Sequence, residues 1–186
     1  RSDVTSRRVI AVGRLDYQKG FDRLIDAWRI VVSQEQTKGW HLDIFGQGHW
    51  QDKLQGMIDE YGIATSATIN KPTTDIWGEY AASSILVMSS HYEGFPMVMI
   101  EAMSCGVPVV SFDFPAGAKD IIENGKNGIL VKNDDVEGLA DAMILLMQND
   151  GLRKELSDNA IKVTDTYSEN VIMEKWVNLF NSLATE

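Results

Sequence analysis

Residues 85–112 read ILVMSSHYEGFPMVMIEAMSCGVPVVSF. Ile85-Leu86-Val87-Met88 is an unbroken apolar run, the pattern of a strand buried on both faces. Ser89 closes that strand. Pro96 to Cys105 has helical spacing, with the proline in its first turn, where a missing N–H does no harm. Val107 to Phe112 is apolar again and reads as a second strand. Strand, helix and strand in this order make a parallel crossover unit.

The same alternation extends in both directions. Toward the start, strands are expected at 8–13, 41–45 and 67–70, with helices at 20–33, 50–61 and 75–82. Phe21, Leu24, Ile25, Trp28, Val31 and Val32 give the first helix its apolar face. Toward the end, a helical turn at 119–123 precedes a short strand at 128–131. Helices follow at 135–149, at 152–166 and, after Ser168 as a cap, to residue 185. The last carries Val171, Ile172, Trp176, Leu179, Phe180 and Leu183 on one face. The fold class is therefore α/β, a doubly wound, parallel, six-stranded, Rossmann-like sheet. Its common strand order is 3-2-1-4-5-6, which sets strands 1 and 4 side by side and opens a crevice beyond their carboxyl ends.

Composition agrees with a globular domain and excludes several others. The chain has 186 residues, 44% hydrophobic and 24% charged. A chain of this size buries roughly 70% of its unfolded surface, so no disulfide or metal staple is required. No window approaches 18 uninterrupted apolar residues, so no membrane span is expected. The net charge is −10, which excludes a general nucleic-acid binder, because phosphate neutralisation dominates that affinity. Residues 1–30 nevertheless hold seven basic and four acidic side chains, leaving a net of −13 for the rest. An anionic ligand is expected near the start of the chain. The single cysteine, Cys105, lies among small and apolar residues and reads as a buried hydrophobe in a reducing compartment. The eight methionines read as core filling.

Topology brings two segments to the crevice. Gly13-Arg14-Leu15-Asp16-Tyr17-Gln18-Lys19-Gly20 follows strand 1, and Ser89 to Pro96 follows strand 4. Arg14, Lys19 and Glu93 should then face one another. Gly94 to Met97 opens a helix, whose free N–H groups and dipole favour an anion. Gly94 lets a ligand approach the backbone, and Arg14 and Lys19 add charge-assisted donors suited to phosphate. Taken alone, either cation is an ordinary surface charge. Glu93 and Glu101 flank the anion site without touching. Carboxylates there repel phosphate and accept hydrogen bonds from hydroxyls. Hydroxyl, phosphate, hydroxyl is the layout of a sugar nucleotide.

Other features read as structure. Gly46-Gln47-Gly48 lacks a third glycine in register and follows the second strand, so it is a turn and not a dinucleotide fingerprint. His41, His49 and His91 lack metal-ligand spacing. There is no Asp-x-Asp pair for a diphosphate-bound cation. Asp134-Asp135-Val136-Glu137 is a helix N-terminal charge cluster.

The run from Glu93 to Met103 resembles the Glu-x7-Glu signature of the family 4, or group 1, glycosyltransferases. Gly13-Arg14-Leu15 with Lys19-Gly20, Phe45-Gly46-Gln47-Gly48, Gly106 to Val110 and Asn127 to Val131 match its other blocks in order, over about residues 8–185. The resemblance implies the C-terminal, donor-binding half of a two-domain GT-B architecture. In that division, residues 1–7 are a truncated interdomain linker and 8–167 the nucleotide-sugar domain. Residues 168–186 form a helix crossing back toward an N-terminal acceptor domain. The family transfers a sugar from a nucleotide donor, usually with retention and without a metal, so no cofactor or metal is expected and the nucleotide-sugar is a substrate.

Carried over by position, Arg14 and Lys19 bind the diphosphate and Glu93 orients the donor sugar, making these three the catalytic set. Gly13 lies with them; the backbone of Gly94, Phe95, Pro96 and Met97 contacts sugar and phosphate, and Glu101 holds the ribose. Asn70-Lys71-Pro72 lies by the base, with Lys71 its donor-binding residue. A UDP-sugar donor and a saccharide or lipid-linked acceptor of cell-surface polysaccharide synthesis are the implied partners. The acceptor is held mainly by the N-terminal domain, so little turnover is expected from these residues alone. The implied location is cytoplasmic, with the full-length protein peripheral at the membrane. Pro115 to Asp120 departs from the common Gly-Gly-x-x-Glu pattern, which puts sugar contacts from that loop in doubt. Two readings compete. Paired carboxylates also suit a glycosidase or a sugar-nucleotide epimerase, although a hydrolase has no use for a diphosphate site. A non-catalytic sugar-nucleotide-binding module is the other.

Overall fold

A computed structural model of the chain describes residues 1–115 and 117–184. The apolar runs form the strands. Val9, Ile10 and Ala11 are buried at the centre of β1 (Arg8–Val12). The others are β2 (His41–Phe45), β3 (Ala67–Asn70), β4 (Ile85–Met88), β5 (Val109–Asp113) and β6 (Gly128–Lys132). All pair in parallel, in the order β3-β2-β1-β4-β5-β6. β1 meets β2 from Arg8↔His41 to Val12↔Phe45, and meets β4 at Val9↔Ile85 and Ile10↔Leu86. The segments leaving β1 and β4 therefore emerge side by side, as the sequence implies.

The helices are α1 (Phe21–Val32), α2 (Gln51–Glu60), α3 (Ile76–Ala81), α4 (Met97–Ser104), α5 (Ala118–Ile121), α6 (Val136–Gln148), α7 (Asp150–Ala160), α8 (Thr164–Tyr167) and α9 (Glu169–Ala184). α1 packs with α2 and α6, while α4 packs with α3, α7 and α8. α1 leads the chain toward β2, and α4 leads it the opposite way, toward β5. Right-handed crossovers then place the two groups on opposite faces of the sheet. Residues 2–6 hydrogen-bond to the start of β4 and the end of α4, through Ser83, Ser84 and Cys105 among others.

Several elements differ from expectation. Pro96 precedes α4 as its cap, with ψ of 72°, and the helix starts at Met97. The expected helix at 152–166 begins earlier, because the Asn149 side chain accepts from the Leu152 N–H at 2.9 Å. It is also split into α7, a 3-10 turn at Ile161–Val163 and α8. No described residue of α9 is buried, although its apolar face is the one anticipated; Thr185 and Glu186 lie outside the described residues. Six methionines are buried or packed against the core, but Met97 and Met173 are exposed. Cys105 is half-buried, and burial pushes its thiol up from its ordinary range. That agrees with a packing residue and not a nucleophile.

Candidate functional site

Leu15, fully buried, anchors the segment that leaves β1. The Asp16 carboxylate accepts from the Lys19 N–H at 3.3 Å and caps a 3-10 turn, Tyr17–Lys19. The turn ends at Gly20, whose φ is 58°. A Cβ there would also lie 2.2 Å from the Ser89 carbonyl oxygen, so only glycine fits. The exit of β2 runs alongside: the Gly13 and Leu15 N–H groups donate to the Phe45 and Gln47 carbonyls, both at 3.0 Å. A Cβ on Gly46 would meet the Gly13 oxygen at 1.9 Å. Gly46-Gln47-Gly48 is thus a strap that braces the β1 exit.

The segment leaving β4 crosses directly above this turn. The His91 N–H donates to the Gln18 carbonyl at 2.8 Å, and Ser89 Oγ donates to the Lys19 carbonyl at 2.9 Å. The two loops consequently bring Lys19 and Glu93 into contact: Nζ lies 2.7 Å from Glu93 Oε1, with side chains only 14% and 6% exposed. Ser90 Oγ donates to the same Oε1 at 2.6 Å, and Gln18 Nε2 donates to Oε2 at 3.3 Å. A buried carboxylate with one cation and two further donors is a satisfied charge. Arg14 stands at the outer end of this chain. It is 70% exposed, donates to Gln18 Oε1 at 2.7 Å, and lies 3.4 Å from Asp16. Arg14, Lys19 and Glu93 are therefore brought together, with Gln18 as the link.

Glu101 stands away from that pair on α4. Its Oε2 accepts from the Tyr80 hydroxyl at 3.1 Å. Burial, and then the Glu101 carboxylate, push the Tyr80 phenol far up, so it stays a donor. Glu101 is thus an oriented acceptor and not a solvated helix residue. Two hollows border this region, and α3 contributes to the wall of each, Ile76 to one and Trp77 to the other. One, about 350 Å³, has Gly13, Arg14, Gln47, Pro72, Thr73 and Ile76 in its wall. The other, about 860 Å³, is mainly apolar and holds Glu101 with Trp77, Phe95, Met97 and Tyr167.

Some expected contributors sit differently. Lys71 is exposed, and its neighbours Pro72 and Thr73 form the hollow's wall instead. The anticipated row of free N–H groups from Gly94 to Met97 is shorter. Pro96 has none, and the Met97 N–H already donates to the Phe95 carbonyl at 2.9 Å. Gly94 and Phe95 are exposed, and a Cβ on Gly94 would meet no atom of the described residues within 4 Å. Their packing leaves room for a side chain there. In the Pro115 to Asp120 loop, Ala116 lies outside the described residues; Lys119 and Asp120 are exposed. His91 stacks on Tyr17, ring centroids 4.1 Å apart, and burial, then the Arg23 charge, lower its pKa. Among the described residues, no group of three or more His, Cys, Asp or Glu could hold a metal ion, and no helix is long and apolar enough to cross a membrane.

Sequence reasoning missed Gln18, Ser90 and Tyr80. Gln18 and Ser90 sit inside the two crevice segments, so their place was legible, but their aim was not. Tyr80 lies in a helical stretch where an aromatic reads only as core.

Comparison with known proteins matches the chain to a family. The family described as Glycosyl transferases group 1 matches residues 1–163. The amylovoran biosynthesis glycosyltransferase AmsD of Erwinia amylovora is 36% identical over 174 residues, 94% of this chain and 48% of that protein. The poly(ribitol-phosphate) alpha-N-acetylglucosaminyltransferase of Staphylococcus aureus is 35% identical, over 96% of this chain and 36% of its own length. A crystal structure of a Staphylococcus aureus TarM variant in complex with fondaparinux, alpha-GlcNAc-glycerol and UDP superposes with a TM-score of 0.88. It is 34% identical, over 94% of this chain and 35% of its own. The chain spans about half the length, or less, of these relatives.

Proposed function

The chain belongs to the group 1 glycosyl transferases, and from that premise we propose that it is the donor-binding half of a retaining, metal-independent enzyme. It would move a sugar from a UDP-sugar to a saccharide or lipid-linked acceptor of cell-surface polysaccharide, held mainly by a further domain. The observation that carries this reading is the buried Lys19–Glu93 pair, with Arg14 on its outer side. A donor diphosphate entering the crevice takes Lys19 from Glu93 and meets Arg14. Glu93, released from the ammonium, accepts hydrogen bonds from sugar hydroxyls. Glu101, fixed by Tyr80, accepts from the ribose. The hollow beside Gly13 and Pro72 receives the base, and the open side of Gly94 admits sugar or phosphate to the backbone.

As the bond between the anomeric carbon and the diphosphate breaks, negative charge grows on the leaving oxygen. Cations already in place stabilise that charge without rearrangement, the role a divalent ion serves elsewhere. The UDP of the TarM variant's crystal structure supports the choice of base. The names of the relatives, which include amylovoran and poly(ribitol-phosphate) enzymes, support a surface-polymer acceptor. The test is product analysis with the full-length protein, a UDP-sugar, an acceptor oligosaccharide and EDTA. The expected result is a glycosylated acceptor whose anomeric configuration, read by proton NMR, is that of the donor. An inverted product, free sugar alone, or transfer abolished by EDTA overturns the corresponding part.

A further inference from the structure

Arg23 lies in the first turn of α1, outside every motif considered so far, and is only 9% exposed. Its guanidinium is shared among three strand ends. One terminal nitrogen donates to the Ser89 carbonyl at the end of β4. The other donates to the Asp134 carboxylate and, at 3.3 Å, to Asn133 Oδ1, both in the turn after β6. The guanidinium carbon lies 4.6 Å from the ring centroid of Phe112 in β5. Nε is buried with no hydrogen-bond partner among the described residues. Asp134 holds a φ of 66°, a left-handed conformation uncommon for any residue but glycine.

A methionine would fill this space with no orphaned donor and no buried charge. What the arginine adds is a grip on Ser89. That carbonyl is clamped between Arg23 and Gly20, where no Cβ fits. Ser89 Oγ holds the Lys19 carbonyl at 2.9 Å, and Ser90 Oγ holds Glu93 Oε1 at 2.6 Å. The dipeptide Ser89-Ser90 thus touches both halves of the crevice pair, and Arg23 holds the dipeptide. We propose that Arg23 is a positioning residue for sugar transfer. Through Ser89 and Ser90 it sets the placement of Lys19 relative to Glu93, and Asp134 in turn fixes Arg23. The inference rests on the donor-site reading above.

The experiment uses the full-length protein with Arg23→Met, Arg23→Lys and Asp134→Asn. UDP affinity is measured by calorimetry, kcat and KM with the sugar nucleotide, and folding by circular dichroism. A displacement of about 1 Å at a reacting centre costs about 100-fold in rate, so Arg23→Met is expected to lower kcat by roughly 30–100-fold while UDP affinity moves less than about 3-fold. Arg23→Lys restores part of kcat, because it keeps the charge but cannot span Ser89 and Asp134 together. Asp134 is 69% exposed at its side chain, so Asp134→Asn tests the chain even if Arg23→Met fails to fold; it should lower kcat by about 3–10-fold, a tether loosened and not lost. Unchanged kcat in folded Arg23→Lys and Asp134→Asn overturns the proposal, as does a fall in UDP affinity that matches the fall in kcat. Wild-type protein that neither binds UDP nor transfers sugar refutes the donor-site reading itself, which separates the two failures.

Discussion

Replacing Lys19 by methionine strips the Glu93 carboxylate, whose side chain is only 6% exposed, of the cation it pairs with. Removing one partner of a buried ion pair typically costs about 3–5 kcal/mol. Ser90 at 2.6 Å and Gln18 at 3.3 Å remain as donors, and hydrogen bonds to charged groups are worth roughly 1.5–3 kcal/mol each. These bonds offset part of the loss, so the expected destabilisation is about 2–4 kcal/mol. Glu93→Gln, which leaves the ammonium unpaired, should lie in the same range. The double variant should recover much of the loss, with a coupling energy of at least about 1.5 kcal/mol. Urea unfolding reads all four proteins; with a slope of about 2 kcal/mol per molar, each single variant moves the midpoint by about 1–2 M. Binding should then divide the pair. Glu93→Gln frees Lys19 and tightens UDP by roughly 3–10-fold, whereas Lys19→Met weakens it by about 10–100-fold, the worth of one charge-assisted bond. Additive destabilisation in the double variant, or weaker UDP binding by Glu93→Gln, would refute the reasoning.

Three further outcomes are expected. Tyr80→Phe removes the hydroxyl that donates to Glu101 Oε2 and should cost about 1 kcal/mol of stability, with UDP affinity reduced about 3-fold as the carboxylate loses its aim. Gly94→Ala meets no atom of the described residues within 4 Å, so unfolding should shift by less than about 0.5 kcal/mol while turnover of the full-length enzyme falls; a large stability loss with intact turnover contradicts the ligand-facing role. The native state lowers the His91 pKa below its ordinary 6.5, through burial and then the Arg23 charge. Folding therefore favours the neutral ring, and stability should decline as pH falls below about 6.5, levelling off below the lowered native value. His91→Phe keeps the stack on Tyr17 and should flatten that decline between pH 7 and 5; equal slopes in both proteins would remove His91 as its source.

Strand order was legible because Ile85-Leu86-Val87-Met88 and its counterparts are apolar without interruption, and because parallel crossovers have one hand. Topology alone then brings Lys19 to Glu93 across 74 residues. It does not say that the two pair with each other, because pairing depends on the aim of side chains such as Gln18 and Ser90. Tyr80 and Arg23 escaped for a related reason: each looks like an ordinary helix residue until distant strand ends are packed around it. Lys71 beside that loop is exposed, and sequence position alone does not say where its side chain is aimed. The periodicity of α9 marks a face suited to burial, and periodicity cannot name what lies against it. The split between α7 and α8 left no proline or glycine to betray it.

The most direct test of the donor-site account is calorimetric titration of these 186 residues with UDP, in EDTA, with GDP, ADP and NAD⁺ as competitors. The account predicts saturable, metal-independent binding of UDP, weakened about 10–100-fold by Lys19→Met and not displaced by NAD⁺. Binding of NAD⁺ alone, or UDP binding indifferent to Lys19, would contradict it.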